Sequence, residues 1–78
     1  MHGALLALWW DGRGEWQTAH EIAQEVHGAD GAWVHGYLHR KQGDVGNAAY
    51  WYRRAGKAVG TGDLQVEREA IVLELLAR

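Results

Sequence analysis

Hydrophobic residues recur every three to four positions along most of the chain, which is the period of an amphipathic α-helix. Glycine-containing turns interrupt this pattern four times, and Asp44 and Asp63 follow two of the turns, where an aspartate can cap the next helix. Proline is absent, and only residues 70–76 would pass for a strand. We therefore predict one all-α domain over residues 1–78 with about five helices. These are residues 2–11, residues 15–27, a helix that ends at 42 after a break at 28–31, a helix from 45 to 59, and residues 63–77.

The fourth segment has the clearest pattern, because Gly43 can end the helix before it and Asp44 can accept hydrogen bonds from its first free amides. On its apolar face Trp51 lies between small residues, and we predict that Trp51 is an interior anchor. The opposite face is polar and basic. The apolar face consists of Ala48, Trp51, Tyr52, Ala55 and Val59, and the polar face of Asn47, Tyr50, Arg53, Arg54 and Lys57.

The composition restricts the chemistry available to the chain. Five tryptophans and three tyrosines among 78 residues help a small single domain to build a core. Cysteine and serine are absent, which excludes disulfides, thiolate metal sites and covalent catalysis by either residue. Neither threonine has an activating base nearby in the sequence. We therefore predict that the protein is not an enzyme and carries no cofactor.

The formal net charge of −2 conceals a segregation of charge along the chain. Residues 1–30 carry one arginine against five carboxylates, a balance of −4, and residues 31–57 carry five cations against one carboxylate, a balance of +4. This arrangement favours contact with an anionic partner or between copies of the chain. The longest apolar run, residues 4–10, is too short to span a membrane and lacks the flanks of a signal peptide. We predict a soluble, cytoplasmic protein without membrane contact.

A weak internal repeat relates two parts of the chain, since the run that begins GEW at residue 14 matches the run that begins GDV at residue 43. In each run an alanine, Ala19 or Ala48, lies five residues after the glycine. The match continues at helical spacing to Val26 in the first run and to Ala55 in the second. This pattern resembles the tetratricopeptide repeat. The segment NAAYWYRRAGKAVG is similar to the second helix of the related Sel-one-like repeats. The longer stretch HGYLHRKQGDVGNAAYWYRRAG also resembles stretches of small uncharacterised bacterial proteins.

The resemblance implies two antiparallel helix hairpins, over residues 2–27 and 29–59, with residues 63–77 as a capping helix. It also implies a protein or peptide partner rather than a reaction, with the binding surface on the first helix of each hairpin.

Together with the local reversal of charge, the resemblance predicts a basic, aromatic surface that binds an acidic segment of another protein. Aromatic rings offer rigid contact area, and the cations can pair with carboxylates. Alternatively, the aromatic residues of the third helix pack against the fifth helix and the cations are solvated. The predicted binding residues are Trp33, Tyr37, Arg40 and Lys41 on the third helix, and Asn47, Tyr50, Arg53 and Arg54 on the fourth.

The histidines offer a second kind of site. His35 and His39 have the four-residue spacing of a metal-ligand pair on a helix, and His20 or His27 could supply a third ligand from the neighbouring helix. Small residues share this side of the third helix, which favours close packing with the imidazoles as gap fillers. We therefore predict no bound metal, and name His20, His35 and His39 as the candidate ligands if one is present.

Two further hypotheses remain open. The basic face of the fourth helix could hold phosphate or single-stranded nucleic acid, although the negative net charge disfavours nucleic acid. The fifth helix has apolar residues on two sides, so one side can cap the hairpins while the other mediates a homodimer. The first side consists of Leu64, Ile71, Val72 and Leu75, and the second of Val66, Ala70, Leu73 and Ala77.

Overall fold

The computed structural model describes residues 3–78, which form five α-helices and no strand. The prediction of an all-α fold with about five helices is confirmed. The predicted start of the first helix at residue 2 lies outside the described residues. The helices are α1 (Gly3–Gly12), α2 (Trp16–Glu25), α3 (Ala29–Gln42), α4 (Val45–Ala55) and α5 (Leu64–Leu76).

The third helix lies at the centre of the fold. Every residue from Gly31 to His39 is buried, and within the described part of the chain α3 contacts each of the other four helices. The closest helix pairs are α1 with α2 and α3 with α4, and α5 packs on α1 and α3. α3 therefore forms the middle of the core, and its histidines His35 and His39 are buried there.

Local capping explains where α3 ends and where α4 and α5 begin. Gly43 adopts a left-handed conformation with φ of 91°, and its amide donates to carbonyl oxygens of the last turn of α3. A side chain would be strained there, which is why glycine ends the helix. The Asp44 carboxylate then accepts from the amide of Asn47, and the Asp63 carboxylate accepts from the first amides of α5. The predicted caps at Asp44 and Asp63 are confirmed.

α3 and α4 approach each other closely at Gly36. A Cβ atom added to Gly36 would lie 3.1 Å from the backbone nitrogen of Tyr52 and 3.3 Å from the carbonyl oxygen of Ala48. The absence of a side chain on Gly36 thus lets the two backbones pack, and the Tyr52 ring is completely buried in this contact.

Tyr52, and not Trp51, is the buried aromatic residue of α4, so the prediction that Trp51 is an interior anchor is wrong. Ala48, Tyr52 and Ala55 form the stripe that faces α3, and Trp51 lies one position to the side and is half-buried. The spacing also predicts Val59 on this stripe. It is 42% exposed because α4 ends at Ala55.

α5 has one buried side and one exposed side. Ile71 and Leu75 are buried, whereas Val66, Leu73 and Leu76 are each more than half exposed. The predicted homodimer through this helix stays a prediction. None of the helices within residues 3–78 is long and apolar enough to cross a bilayer.

Candidate metal centre

Three histidines from two helices converge at the contact between α2 and α3. His35 and His39 are one turn apart on α3, and His20 lies opposite them on α2. One ring nitrogen from each lies within 4.8 Å of the other two, and the Nε2 atoms of His20 and His35 are 3.0 Å apart. The candidate ligands of the sequence analysis are therefore brought together. His27 lies beyond the end of α2 and does not join them.

Small side chains beside the histidines let the two helices approach. Ala19 and Ala23 of α2 are buried, as is every residue of α3 from Gly31 to His39. As a result His35 and His39 are only 6% and 7% exposed, and His20 is half-buried. The cluster is thus mostly buried, and His20 is its most exposed member.

Two tryptophans fix the orientation of the imidazole rings. Trp16, one turn before His20, stacks on it with ring centroids 4.8 Å apart, and its Nε1 donates to the carbonyl oxygen of Leu38 at 2.8 Å. On the other side Trp51 stacks on His35 at 4.0 Å. Rings held in this way lose little further freedom when they bind a ligand, which favours binding.

The environment keeps His20 and His35 uncharged. Burial lowers the pKa of His35 to about 4, with smaller contributions from His20 and His39. Burial also lowers the pKa of His20, as does the neighbouring His39. At neutral pH these two imidazoles are therefore neutral, and a neutral imidazole has the free lone pair that a metal ion requires.

His39 has a buried nitrogen without a partner. Its Nδ1 is inaccessible to solvent and has no hydrogen-bond partner among residues 3–78. Leaving a buried polar atom unsatisfied costs about 1–3 kcal/mol, so such atoms usually have a functional or structural reason. A metal ion coordinated by Nδ1 would remove that cost.

The spacing of the nitrogens is compatible with a tetrahedral ion after small movements. With metal–nitrogen distances of about 2.0–2.1 Å, tetrahedral coordination holds the ligand nitrogens about 3.4 Å apart. The present separations run from 3.0 Å up to 4.8 Å. To reach this geometry, the shortest separation would lengthen by about 0.4 Å and the longest would shorten by about 1.4 Å.

The binding residues that the sequence predicts on α3 are engaged inside the chain. Trp33 and Tyr37 are buried, and the Tyr37 hydroxyl donates to Asp11 at 3.1 Å. Lys41 donates to the other oxygen of Asp11 at 2.7 Å. Arg40 pairs with Glu67 of α5 and also donates to a backbone carbonyl just before that helix. Both cations therefore have carboxylate partners within the chain, and Lys41 is also 38% exposed to solvent.

The predicted residues on α4 are all exposed. Tyr50 is 47% exposed, and Arg54 donates to its hydroxyl at 3.1 Å while lying over the rings of Tyr50 and Trp51. The Asn47 side chain donates to Asp44 at 3.4 Å, and Arg53 is exposed. The two groups of predicted binding residues thus differ in their surroundings, and those on α4 remain accessible.

No family model matches this chain, and the searches of curated proteins and solved structures likewise give no match. The resemblance to tetratricopeptide and Sel-one-like repeats, and the peptide-binding function that it implies, stay predictions.

The roles of Trp16 and Trp51 at the histidine cluster were not predicted from the sequence. A signal for Trp16 is present, because it precedes His20 by four residues and so shares its face of α2. Trp51 has no such signal, since its position beside His35 depends on how α3 and α4 pack.

Proposed function

We propose that this protein binds one transition-metal ion, with zinc as the first candidate, through His20, His35 and His39. The observation that carries the proposal is the convergence of three imidazoles from two helices, with ring nitrogens within 4.8 Å of one another. Two stacked tryptophans and the low pKa of His35 support it, because they hold the rings in place and keep the lone pairs available.

The three imidazole donors favour a metal ion of intermediate Lewis-acid softness. Imidazole nitrogen suits zinc, copper, nickel and iron, whereas magnesium and calcium prefer oxygen donors. Copper(II) binds such sites more tightly than zinc, so selection between them depends on geometry and on which ion is available. Three protein ligands also leave one position of a tetrahedral ion open, as in catalytic zinc sites.

Metal binding would connect α2 to α3 and stabilise the folded chain. An ion that binds only the folded state adds about 4 kcal/mol of stability at a concentration a thousandfold above its dissociation constant. Folding and metal content would therefore be coupled.

Metal analysis and calorimetry of chelator-treated protein test the proposal. We expect one zinc ion per chain after dialysis, and a rise in melting temperature on addition of zinc. His20→Gln should weaken zinc binding at least about a hundredfold, because the loss of a ligand costs no less than the loss of its supporting partner. His20 is half-buried, so this variant should still fold, which circular dichroism would check.

His27→Gln is the matched control, since His27 is exposed and lies outside the cluster. It should bind zinc like the parent protein. If the parent binds no more zinc than His20→Gln, or if His27→Gln weakens binding to the same degree, the proposed centre is wrong.

A second candidate function is supported by the exposed face of α4. Tyr50 presents an accessible ring with the guanidinium of Arg54 held against it, and Arg53 is exposed beside them. Such a face suits an acidic peptide, because the ring offers contact area and the arginines pair with carboxylates.

An oligoglutamate peptide of ten residues is a suitable probe for this face. Binding should weaken as salt is added, and Arg53→Glu should reduce it several-fold. Arg13→Glu changes the charge equally at an exposed position on another part of the chain and is the control. Equal losses in both variants would show attraction by net charge alone, and the peptide site would then be abandoned.

A further inference from the structure

A shallow groove of about 250 Å³ lies between α1 and α5. A second depression of about 280 Å³ shares Arg68 and Val72 with it and extends onto Leu73. The two depressions therefore form one continuous surface. We call this surface the α1–α5 face, and its main members are Leu5, Trp9, Arg68, Val72, Leu73 and Leu76.

Large apolar side chains on the α1–α5 face are accessible to solvent. Leu73 and Leu76 are each more than half exposed, and Trp9 is 43% exposed. α5 fully buries only Ile71 and Leu75 against the other helices described here. A helix that is apolar on both sides is usually covered on both, and monomeric proteins seldom leave a contiguous apolar patch in water. The face therefore has the character of a contact surface.

α5 runs back along α1, so the two helices lie side by side in opposite directions. Arg68, early in α5, places its guanidinium 3.4 Å from the carboxylate of Asp11, which is near the end of α1. Val72 and Leu76, one and two turns later, line the groove together with Leu5 near the start of α1. The face is therefore two antiparallel helices wide.

Opposite charges lie on the two edges of the α1–α5 face. Arg13 follows α1 and lies over the Trp9 ring, with its guanidinium carbon 4.9 Å from the ring centroid. Glu69 borders the second depression on α5 and accepts a hydrogen bond from the neutral side chain of Gln65. Within residues 3–78 neither Arg13 nor Glu69 forms an ion pair. Because α1 and α5 run in opposite directions, both charges lie at the same end of the face.

We infer that the α1–α5 face binds the same face of a second copy of the chain, about a two-fold axis that runs along the groove. This axis places α1 of each copy against α5 of the other. Arg13 then meets Glu69 of the other copy, and Trp9 packs on Val72 and Leu73 of the other copy. Each of these contacts occurs twice, as in any isologous interface. A single charged edge would meet its like in such a dimer, whereas two opposite edges are complementary.

This surface differs from the one that the sequence predicts for a homodimer. The sequence places the contact on α5 alone and puts Val72 on its inner side. In the structure Val72 lines the groove, and α1 contributes Leu5 and Trp9. The contact uses none of the three histidines, so it is independent of the proposed metal centre.

The size of the face indicates a weak dimer. α1 and α5 have 10 and 13 residues, which corresponds to about 15–20 Å along each helix. A contact of this length and two helices wide lies at the small end of specific interfaces. We therefore expect a dissociation constant on the order of 10–100 µM.

Sedimentation equilibrium of the full chain, with a chelator present, tests the dimer. Between about 5 and 500 µM the mass should rise from 8.7 kDa towards twice that value. Leu73→Glu places a charge on the face and should weaken association at least about tenfold. Leu73 is mostly exposed, so this variant should fold, which circular dichroism would check.

Val45→Glu is the matched control, because Val45 is as exposed as Leu73 and belongs to α4. It should associate like the parent. A parent protein that stays at 8.7 kDa up to about 500 µM would overturn the inference, and so would an equal loss of association in Leu73→Glu and Val45→Glu.

A charge swap tests the arrangement of the two copies. Arg13→Glu and Glu69→Arg each place like charges opposite one another and should each weaken association several-fold. The double variant re-forms both ion pairs in reverse and should associate about as tightly as the parent. If net charge alone governed association, Glu69→Arg would strengthen it, because this change brings the net charge from −2 to zero. That result, or a double variant weaker than both single variants, would show that the proposed pairing is wrong.

Discussion

Burial controls the protonation of His35 and thereby links the candidate site to stability. The pKa of His35 is about 4 in the folded chain, against about 6.5 for an unfolded histidine. Between these values the unfolded chain binds a proton that the folded chain does not, so a fall in pH favours unfolding. The contribution of the neutral ring is complete above pH 6.5 and is lost as the pH falls towards 4.

We predict that the free energy of unfolding of the metal-free protein falls between pH 7 and pH 4, with His35 accounting for on the order of 3 kcal/mol of the loss. Urea denaturation with a chelator present would measure it. His35→Gln should show a smaller loss, because glutamine does not titrate. An equal loss in the parent and the variant would contradict the role assigned to burial.

The two adjacent aromatic residues of α4 should respond differently to truncation. Tyr52→Ala should cost about 3–5 kcal/mol, since it removes a completely buried ring at the contact with α3. Trp51→Ala should cost less, about 1–2 kcal/mol, because Trp51 is half-buried and covers only one side of His35. Denaturant unfolding of both variants would rank them, and the reverse order would contradict the packing described here.

At the scale of the helices, the contact between α3 and α4 depends on a missing side chain. Gly36→Ala would place a Cβ atom 3.1 Å from the backbone of Tyr52, and backbone cannot move aside as a flexible side chain can. We predict a loss of about 1–3 kcal/mol in stability, although alanine favours a helix more than glycine does.

Gly46→Ala is the matched control, because it lies in the first turn of α4 and has open space within 4 Å of the added atom. This variant should be more stable than the parent by about 0.5–1 kcal/mol. If Gly36→Ala is stabilised to the same degree, the helices are not in close backbone contact there.

The local signals in the sequence were sufficient for the helices but not for the faces of α3. Gly43 and Asp44 mark a helix boundary through their own conformations and hydrogen bonds, which depend on few residues. The sequence predicts Trp33 and Tyr37 on a binding surface, but they are buried. A helix that is covered on all sides has no polar face, so its spacing pattern cannot indicate which residues a partner could reach.

The part of the candidate site that lies on one helix was predictable from the sequence, and the part that depends on helix packing was not. The spacing of His35 and His39 indicates a ligand pair, because both positions lie on one helix. The choice between His20 and His27 depends on where α2 ends and how it lies on α3. α2 ends at Glu25, and only His20 is placed opposite the pair.

At the scale of the whole molecule, Asp11 joins three helices through one buried carboxylate. It accepts hydrogen bonds from Tyr37 and Lys41 of α3, and the guanidinium of Arg68 of α5 lies 3.4 Å from it. Removing it would leave the buried Tyr37 hydroxyl without its acceptor, and would take the carboxylate away from Lys41 and Arg68, whose side chains are 38% and 21% exposed. We predict that Asp11→Ala costs about 2–3 kcal/mol, measured by urea unfolding at pH 7.

Asp44→Ala removes a carboxylate from an exposed helix cap and is a useful comparison, with an expected cost of about 1 kcal/mol. If the two aspartate variants are equally stable, the buried network contributes no more to stability than an ordinary cap does.

The position of α3 among the other four helices also has a consequence for motion. Among the helix pairs that do not include α3, only α1 with α2 and α1 with α5 pack together within residues 3–78. Separation from α3 would therefore leave most of the chain without a core. The most protected amide hydrogens of α3 should therefore exchange with deuterium only when the entire chain opens, with one common free energy of opening. Because His35 and His39 belong to this slowest segment, an ion bound there would slow deuterium exchange across the whole chain rather than in one helix.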